Sequence, residues 1–149
     1  MAPPSPKALS LDELAHVEAP RYSKVVFRGV EDAADTIFSE AMQHYSKHDY
    51  AGAIPGLRAA VKASPRTARF NFYLGACYLL SNQADSAIAS FRKVVSLNDP
   101  AFSEMAHFYL AKAYLRNHDV SNAEKELRAT VNLGGSRAAE ASEILRQLC

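Results

Sequence analysis

The stretch Asn71–Asp99, NFYLGACYLLSNQADSAIASFRKVVSLND, decides how the whole chain reads. It sets Leu74, Gly75 and Tyr78 at helical spacing, crosses Ser81-Asn82-Gln83, then sets Ala87, Ile88, Phe91 and Val94 at helical spacing again. Moved back by 34 residues, this set lands on Glu40, Ala41, His44, Ala53, Ile54, Leu57 and Ala60. Moved forward by 36, it lands on Leu110, Ala111, Tyr114, Ala123, Glu124, Leu127 and Thr130. Most size classes are kept, so one helix–turn–helix unit is written three times. Such a period is the mark of stacked helical hairpins. Small residues at Gly75/Ala87 and Ala111/Ala123 let paired helices approach closely, while Tyr78 and Phe91 fill the spaces between them.

Outward from that stretch, the pattern predicts seven helices between Val30 and Cys149. The first covers about 31–47, with Ala34, Ile37, Phe38, Ala41 and Tyr45 on one side. Asp49 is placed to cap the second, about 50–63, and Pro55 inside it predicts a kink or a later start. The third and fourth cover about 67–80 and 84–97. Asp99-Pro100 reads as an N-cap followed by Pro at the first helical position, opening a fifth helix over about 100–116. Ser121 and Glu124, spaced as a capping box, open the sixth, which ends near Gly134-Gly135. The seventh, 137–148, is amphipathic through Ala138, Ala141, Ile144, Leu145 and Leu148 and shows Glu140, Glu143 and Arg146 outward, as a terminal cap of a repeat array must. The expected division is therefore a repeat domain over 31–149, with repeats about 34–66, 67–100 and 101–135 and a capping helix over 137–148.

Residues 1–30 read differently. Pro3, Pro4 and Pro6 make the start an extended tether. Ser10-Leu11-Asp12-Glu13 is a capping box, opening a short helix that must stop before Pro20. Arg21–Gly29 is rich in β-branched and aromatic residues but too short to form a sheet alone. It is expected to lie extended on the helical body, anchored by Tyr22, Val25 or Phe27, or else to remain a partly disordered leader.

Composition narrows the function. A net charge of +1 argues against nucleic acid or an anionic membrane as the dominant partner. The longest apolar run, Phe72–Leu80, is too short to cross a bilayer, so no direct membrane insertion is expected of this chain. Cys77 and Cys149 make neither a disulfide framework nor a metal spacing. No nucleophile elbow, phosphate-cradling glycine loop or HExxH pattern occurs, and Glu31-Asp32 sits at a helix start, where acids favour the dipole. No catalytic residue, cofactor or metal is expected; His44 takes the place of a core Tyr, and no Glu, Cys or third His lies at ligand spacing from His44 and His48. Arg58, Lys62, Arg66 and Arg69 form a cationic set at helical spacing, which reads as a solvated face or as a steering patch for an acidic partner.

These residues resemble the tetratricopeptide repeat family. Leu74-Gly75-x-x-Tyr78…Ala87…Phe91 matches its pattern well, Leu110-Ala111-x-x-Tyr114…Ala123…Leu127 nearly so, and the first unit is weaker at Glu40 and His44. The resemblance implies an all-α, right-handed superhelix of three hairpins and a capping helix, and a role in binding rather than catalysis. In that family the first helix of each hairpin lines a concave groove. By this register Phe38, Phe72 and Phe108 face it, flanked by Met42, Ala76 and Lys112 and by Tyr45, Leu79 and Leu115. These nine residues are the candidate partner-binding site for a protein or peptide; the alternative is that the phenylalanines pack between repeats or under the N-terminal segment. The Lys and Asn set with which chaperone-binding relatives hold a C-terminal carboxylate is absent.

A second resemblance runs over Leu14–Tyr22, Phe27–Gly29, Asp49–Leu57, Ala106–Ala113 and Leu133–Ala141. It is to the C-terminal repeat part of bacterial membrane-anchored tetratricopeptide proteins, some of which carry an anti-sigma-type zinc-finger segment and a membrane helix upstream. It implies a periplasmic, extracytoplasmic location with the Pro-rich start as tether; the alternative is cytoplasmic. Two functions stay open, a peptide- or protein-binding scaffold and a self-association module forming a homodimer.

Overall fold

The computed structural model of the chain describes residues 9–23 and 32–148. Val25 and Phe27, two of the expected anchors, lie outside them, as does Cys149. The helices are α1 (Leu11–Leu14), α2 (Ala33–Ser46), α3 (Tyr50–Ala63), α4 (Ala68–Leu80), α5 (Ala84–Leu97), α6 (Ser103–Arg116), α7 (Val120–Leu133) and α8 (Ala138–Leu148), and no strand occurs among the described residues. Chain neighbours are space neighbours: α2 pairs with α3, α4 with α5 and α6 with α7 as hairpins, each hairpin stacks on the next, and α8 covers α7.

The same turn is built three times. His48, Asn82 and His118 hold left-handed backbone (φ 61°, 61° and 56°) just past the first helix of each hairpin. The next N–H then reaches back over the helix end: Asp49 to the His44 carbonyl at 2.9 Å, Gln83 to Tyr78 at 2.8 Å and Asp119 to Tyr114 at 2.9 Å. This is the six-to-one closure that satisfies orphan carbonyls. The second helices of hairpins two and three also end in left-handed residues, Asn98 and Gly134.

Close approach occurs where the small residues stand. A Cβ on Gly75 would lie 2.9 Å from the Phe91 ring, so the ring of α5 occupies the room a side chain on α4 would take. In the first hairpin the pair is Ala41 and Gly56, where an added Cβ would come within 2.7 Å of the Ala41 methyl. Ala87, Ala111 and Ala123 are fully buried.

Four expectations need correction. α6 starts at Ser103; Asp99 instead organises the turn before it, accepting from the Ala101 N–H at 2.9 Å and, through its carbonyl, from Phe102 and Ser103. Of the two residues added to the third repeat, one lengthens that turn, which covers 98–102 against 64–67 before α4, and one lengthens α6, with 14 residues against 13 in α4. α7 starts at Val120 under Asp119, whose carboxylate accepts from the Asn122 N–H at 3.2 Å, and not at Ser121. α3 begins at Tyr50 rather than nearer Pro55, which lies inside it, and its start is fixed by Asp49, whose carboxylate accepts from the Gly52 N–H at 3.0 Å. His44 does not fill a core place: its side chain is 54% exposed and bonds Asp49 at 3.0 Å. Its counterpart Tyr78 shares a cleft with Leu74 beneath Arg58, Val61 and Lys62 of the preceding hairpin. Among the described residues no hairpin precedes the first one, so Glu40 and His44 meet water where Leu74 and Tyr78 meet a helix.

Candidate functional site

The first helices of the hairpins, α2, α4 and α6, form the inner row of the stack, and α4 touches α6 directly. Across this row runs the chain's own segment 9–23. The expected capping box is present: the Ser10 hydroxyl accepts from the Glu13 N–H at 3.2 Å, and the Glu13 carboxylate accepts from the Ser10 N–H at 2.9 Å. It opens the single turn α1, which packs on α6. From there the chain proceeds as an extended strap.

Four side chains of the inner row donate to main-chain carbonyls of the strap. The Lys112 ammonium donates to Leu14 at 2.6 Å, and the Tyr109 hydroxyl to Glu18 at 3.2 Å. The Tyr73 hydroxyl donates to Arg21 at 2.6 Å, and the Tyr45 hydroxyl to Pro20. The strap thus passes from α6 over α4 to α2, against the order of the repeats, and its first described residue reaches α8 through Leu9 N–H to Gln147 at 3.4 Å. Leu14, Ala15, Val17 and Pro20 are buried beneath it while His16, Glu18 and Arg21 face solvent. Tyr22 closes the far end, edge-on to Phe38, Tyr45 and Tyr73 at centroid distances of 5.9, 6.4 and 5.6 Å. Each neutral bond of this kind adds about 0.5–1.5 kcal/mol net, so the row holds the strap by many modest contributions.

Burial tunes these donors. It raises the phenols of Tyr45 and Tyr109 above the usual tyrosine range and pushes Tyr73 up to about 12. All three therefore stay protonated, as donors must. Burial also lowers the Lys112 ammonium from its ordinary value, against the attraction of Glu140. Beside the strap, His16, Glu18, Phe108, Lys112, Arg137 and Glu140 enclose a cavity of about 190 Å3. There Lys112 and Arg137 stand 5.5 and 5.1 Å from the Phe108 ring, and Arg137 pairs with Glu140 at 3.0 Å. Beyond Tyr22 an open cleft of about 330 Å3 continues between Ser39, Met42, Gln43, Ser46 and Lys47.

The nine expected groove residues divide. Phe38, Tyr45 and Lys112 meet the strap, Phe108 lines the cavity beside it and Met42 the cleft beyond it. Phe72 instead packs between repeats, with Phe91, Phe102 and Tyr109 around it at 5.4–5.8 Å, the alternative stated above. Ala76, Leu79 and Leu115 are buried at 1, 0 and 0% exposure. Sequence reading missed Tyr73 and Tyr109, each one residue past an expected phenylalanine and 36 residues apart, so they are the same repeat position. The cationic set also divides: Arg58 and Lys62 edge the cleft over Tyr78, whereas Arg69 pairs with Asp35 at 3.0 Å and lies 4.8 Å over the Phe38 ring. His44 and His48 are engaged with Asp49 and Tyr50.

Three stacked hairpins with recurrent close contacts, an inner face and a terminal cap define a tetratricopeptide-like, right-handed α-α superhelix. Residues 38–101 match the tetratricopeptide repeat family. The type III secretion chaperone SycD of Yersinia enterocolitica, solved in complex with a peptide of the translocator YopD, has a similar structure: TM-score 0.72, 22% identity, covering 80% of this chain and 94% of that one. An alternative dimer of SycD gives a TM-score of 0.70 at 22% identity, covering 80% and 93%. The TPR2B domain of yeast Sti1, solved as a pHsp70 complex, gives 0.70 at 22% identity, covering 77% and 94%. No curated protein sequence matches the chain.

Proposed function

We propose that this chain is a non-catalytic protein-interaction module that holds an extended peptide or protein segment along its inner face. One observation carries the reading. Tyr45, Tyr73, Tyr109 and Lys112 aim donors at main-chain carbonyls, the one feature every extended peptide shares. The likeness to folds solved with a YopD peptide and as a pHsp70 complex supports it. The test is replacement of Tyr73 and Tyr109 by Phe, which removes two hydroxyls and little volume. Peptide capture should fall while helix content stays; undiminished capture rejects the assignment.

The resemblance over Leu14–Tyr22 and the later matching stretches supports a bacterial, membrane-anchored regulator with these repeats outside the cytoplasm. No described helix is long and apolar enough to cross a membrane, so such an anchor would lie outside the described residues. The natural reading frame tests this: an apolar run of about 20 residues before Met1 is expected. Self-association is the second reading, supported by the SycD dimers. Phe72 and Phe108 are already covered within the chain, so a homodimer would use other surfaces, and light scattering separates the two.

A further inference from the structure

We propose that residues 14–22 are a built-in competitor, and that the partner displacing them is an extended peptide of the same pattern. That pattern is an apolar residue at every third position followed by an aromatic two residues on. The inference rests on the interaction reading above and names its ligand class and its regulation.

The strap has the form of a ligand. Its buried residues Leu14, Val17 and Pro20 recur every three positions and Tyr22 follows two later; Ala15 is buried beside Leu14, while His16, Glu18 and Arg21 face solvent. The bonds that Tyr45, Tyr73, Tyr109 and Lys112 make to the strap go to its main-chain carbonyls. Any peptide backbone offers those acceptors, so the row does not distinguish cis from trans. The strap also fills the face incompletely. The 190 Å3 cavity at Phe108 lies against it, and the 330 Å3 cleft past Tyr22 carries the groove onward. A partner that also fills the Met42-lined cleft past Tyr22 buries apolar surface that the strap leaves uncovered, which favours displacement. The competitor's single helical turn, α1, is far below the length at which a helix holds itself together, so release costs little local structure.

The experiment uses the full chain and a fluorescein-labelled peptide LSLDELAHVEAPRYS, the sequence of residues 9–23. Binding is compared between the natural chain and a variant carrying Val17→Asp with Tyr22→Ser, which alter the strap and leave the inner row intact. If the strap occupies the face about nine-tenths of the time, the variant binds the peptide about 10-fold more tightly. Adding Tyr73→Phe and Tyr109→Phe should return binding to the weak level, and a peptide with the same two strap changes should not bind. Hydrogen exchange on the natural chain gives an independent reading: strap amides should exchange faster than those of α4 and α6. Equal affinity for both chains overturns the competitor and leaves the interaction reading standing. No binding to either chain, with the variant folded and its strap amides exposed, takes down both. A variant that unfolds, strap amides that exchange only with global unfolding, or a strap exchanged between two copies also overturns the proposal.

Discussion

At Gly75 the fit between α4 and α5 comes down to one missing methyl. Because a Cβ there would press on the Phe91 ring at 2.9–3.1 Å, Gly75→Leu should destabilise the chain by about 1–3 kcal/mol or more, read as a lower midpoint in chemical denaturation. A second residue-scale expectation concerns Tyr73. Burial pushes its phenol from the ordinary 10.0 up to about 12, so its neutral form contributes stability that is fully present below pH ~10 and lost as pH rises towards 12. Alkaline titration of tyrosinate absorbance should show a late step coinciding with loss of helix. Gly75 was legible in the sequence because its size recurs at Ala41 and Ala111. Tyr73 and Tyr109 were not. Ten of the thirteen residues of α4 are buried, so the helix has no polar side from which to orient it. Stepping from Phe72 to Tyr73 exchanges the inter-repeat space for the inner face, and both residues are apolar enough for either.

Elements began and ended where local hydrogen bonds dictated, and local chemistry was only partly readable. The Ser10–Glu13 box and the Asp49 cap formed as their spacing predicts. Asp99 and Asp119 are both good caps, yet one closes a turn and the other opens a helix, because the hairpin's six-to-one closure at Tyr114 fixes where α7 can begin. Those closures place histidine in a backbone region where a Cβ is unwelcome. Left-handed backbone costs an L-residue roughly 1–2 kcal/mol, part of which glycine gives back as lost chain entropy. His118→Gly should therefore raise stability by about 0.5–1 kcal/mol, measured by denaturant unfolding. Replacing His48 in the same way should gain less, since its ring also bonds the Tyr50 hydroxyl at 2.8 Å.

For the whole molecule, stability is a sum of hairpins and the interfaces between them. The terminal interface is the place to test this. Ile144 of α8 is 5% exposed, so Ile144→Ala should cost about 2–4 kcal/mol, and exchange protection should fall first in α7 and α6 and last in α3. The stack itself was readable from a repeated spacing. The occupied inner face was legible only at one end, where Tyr22 marks an aromatic anchor for an extended segment; residues 14–20 carry no helical period and meet partners 25 to 98 positions away. That crossing has a mechanical side. A solenoid bends like a spring, and a peptide tied at α6 and again at α2 is a chord drawn across its arc. While the chord is fastened the span between first and last hairpins is set; once it is let go, the curvature belongs to whatever lies in the bow.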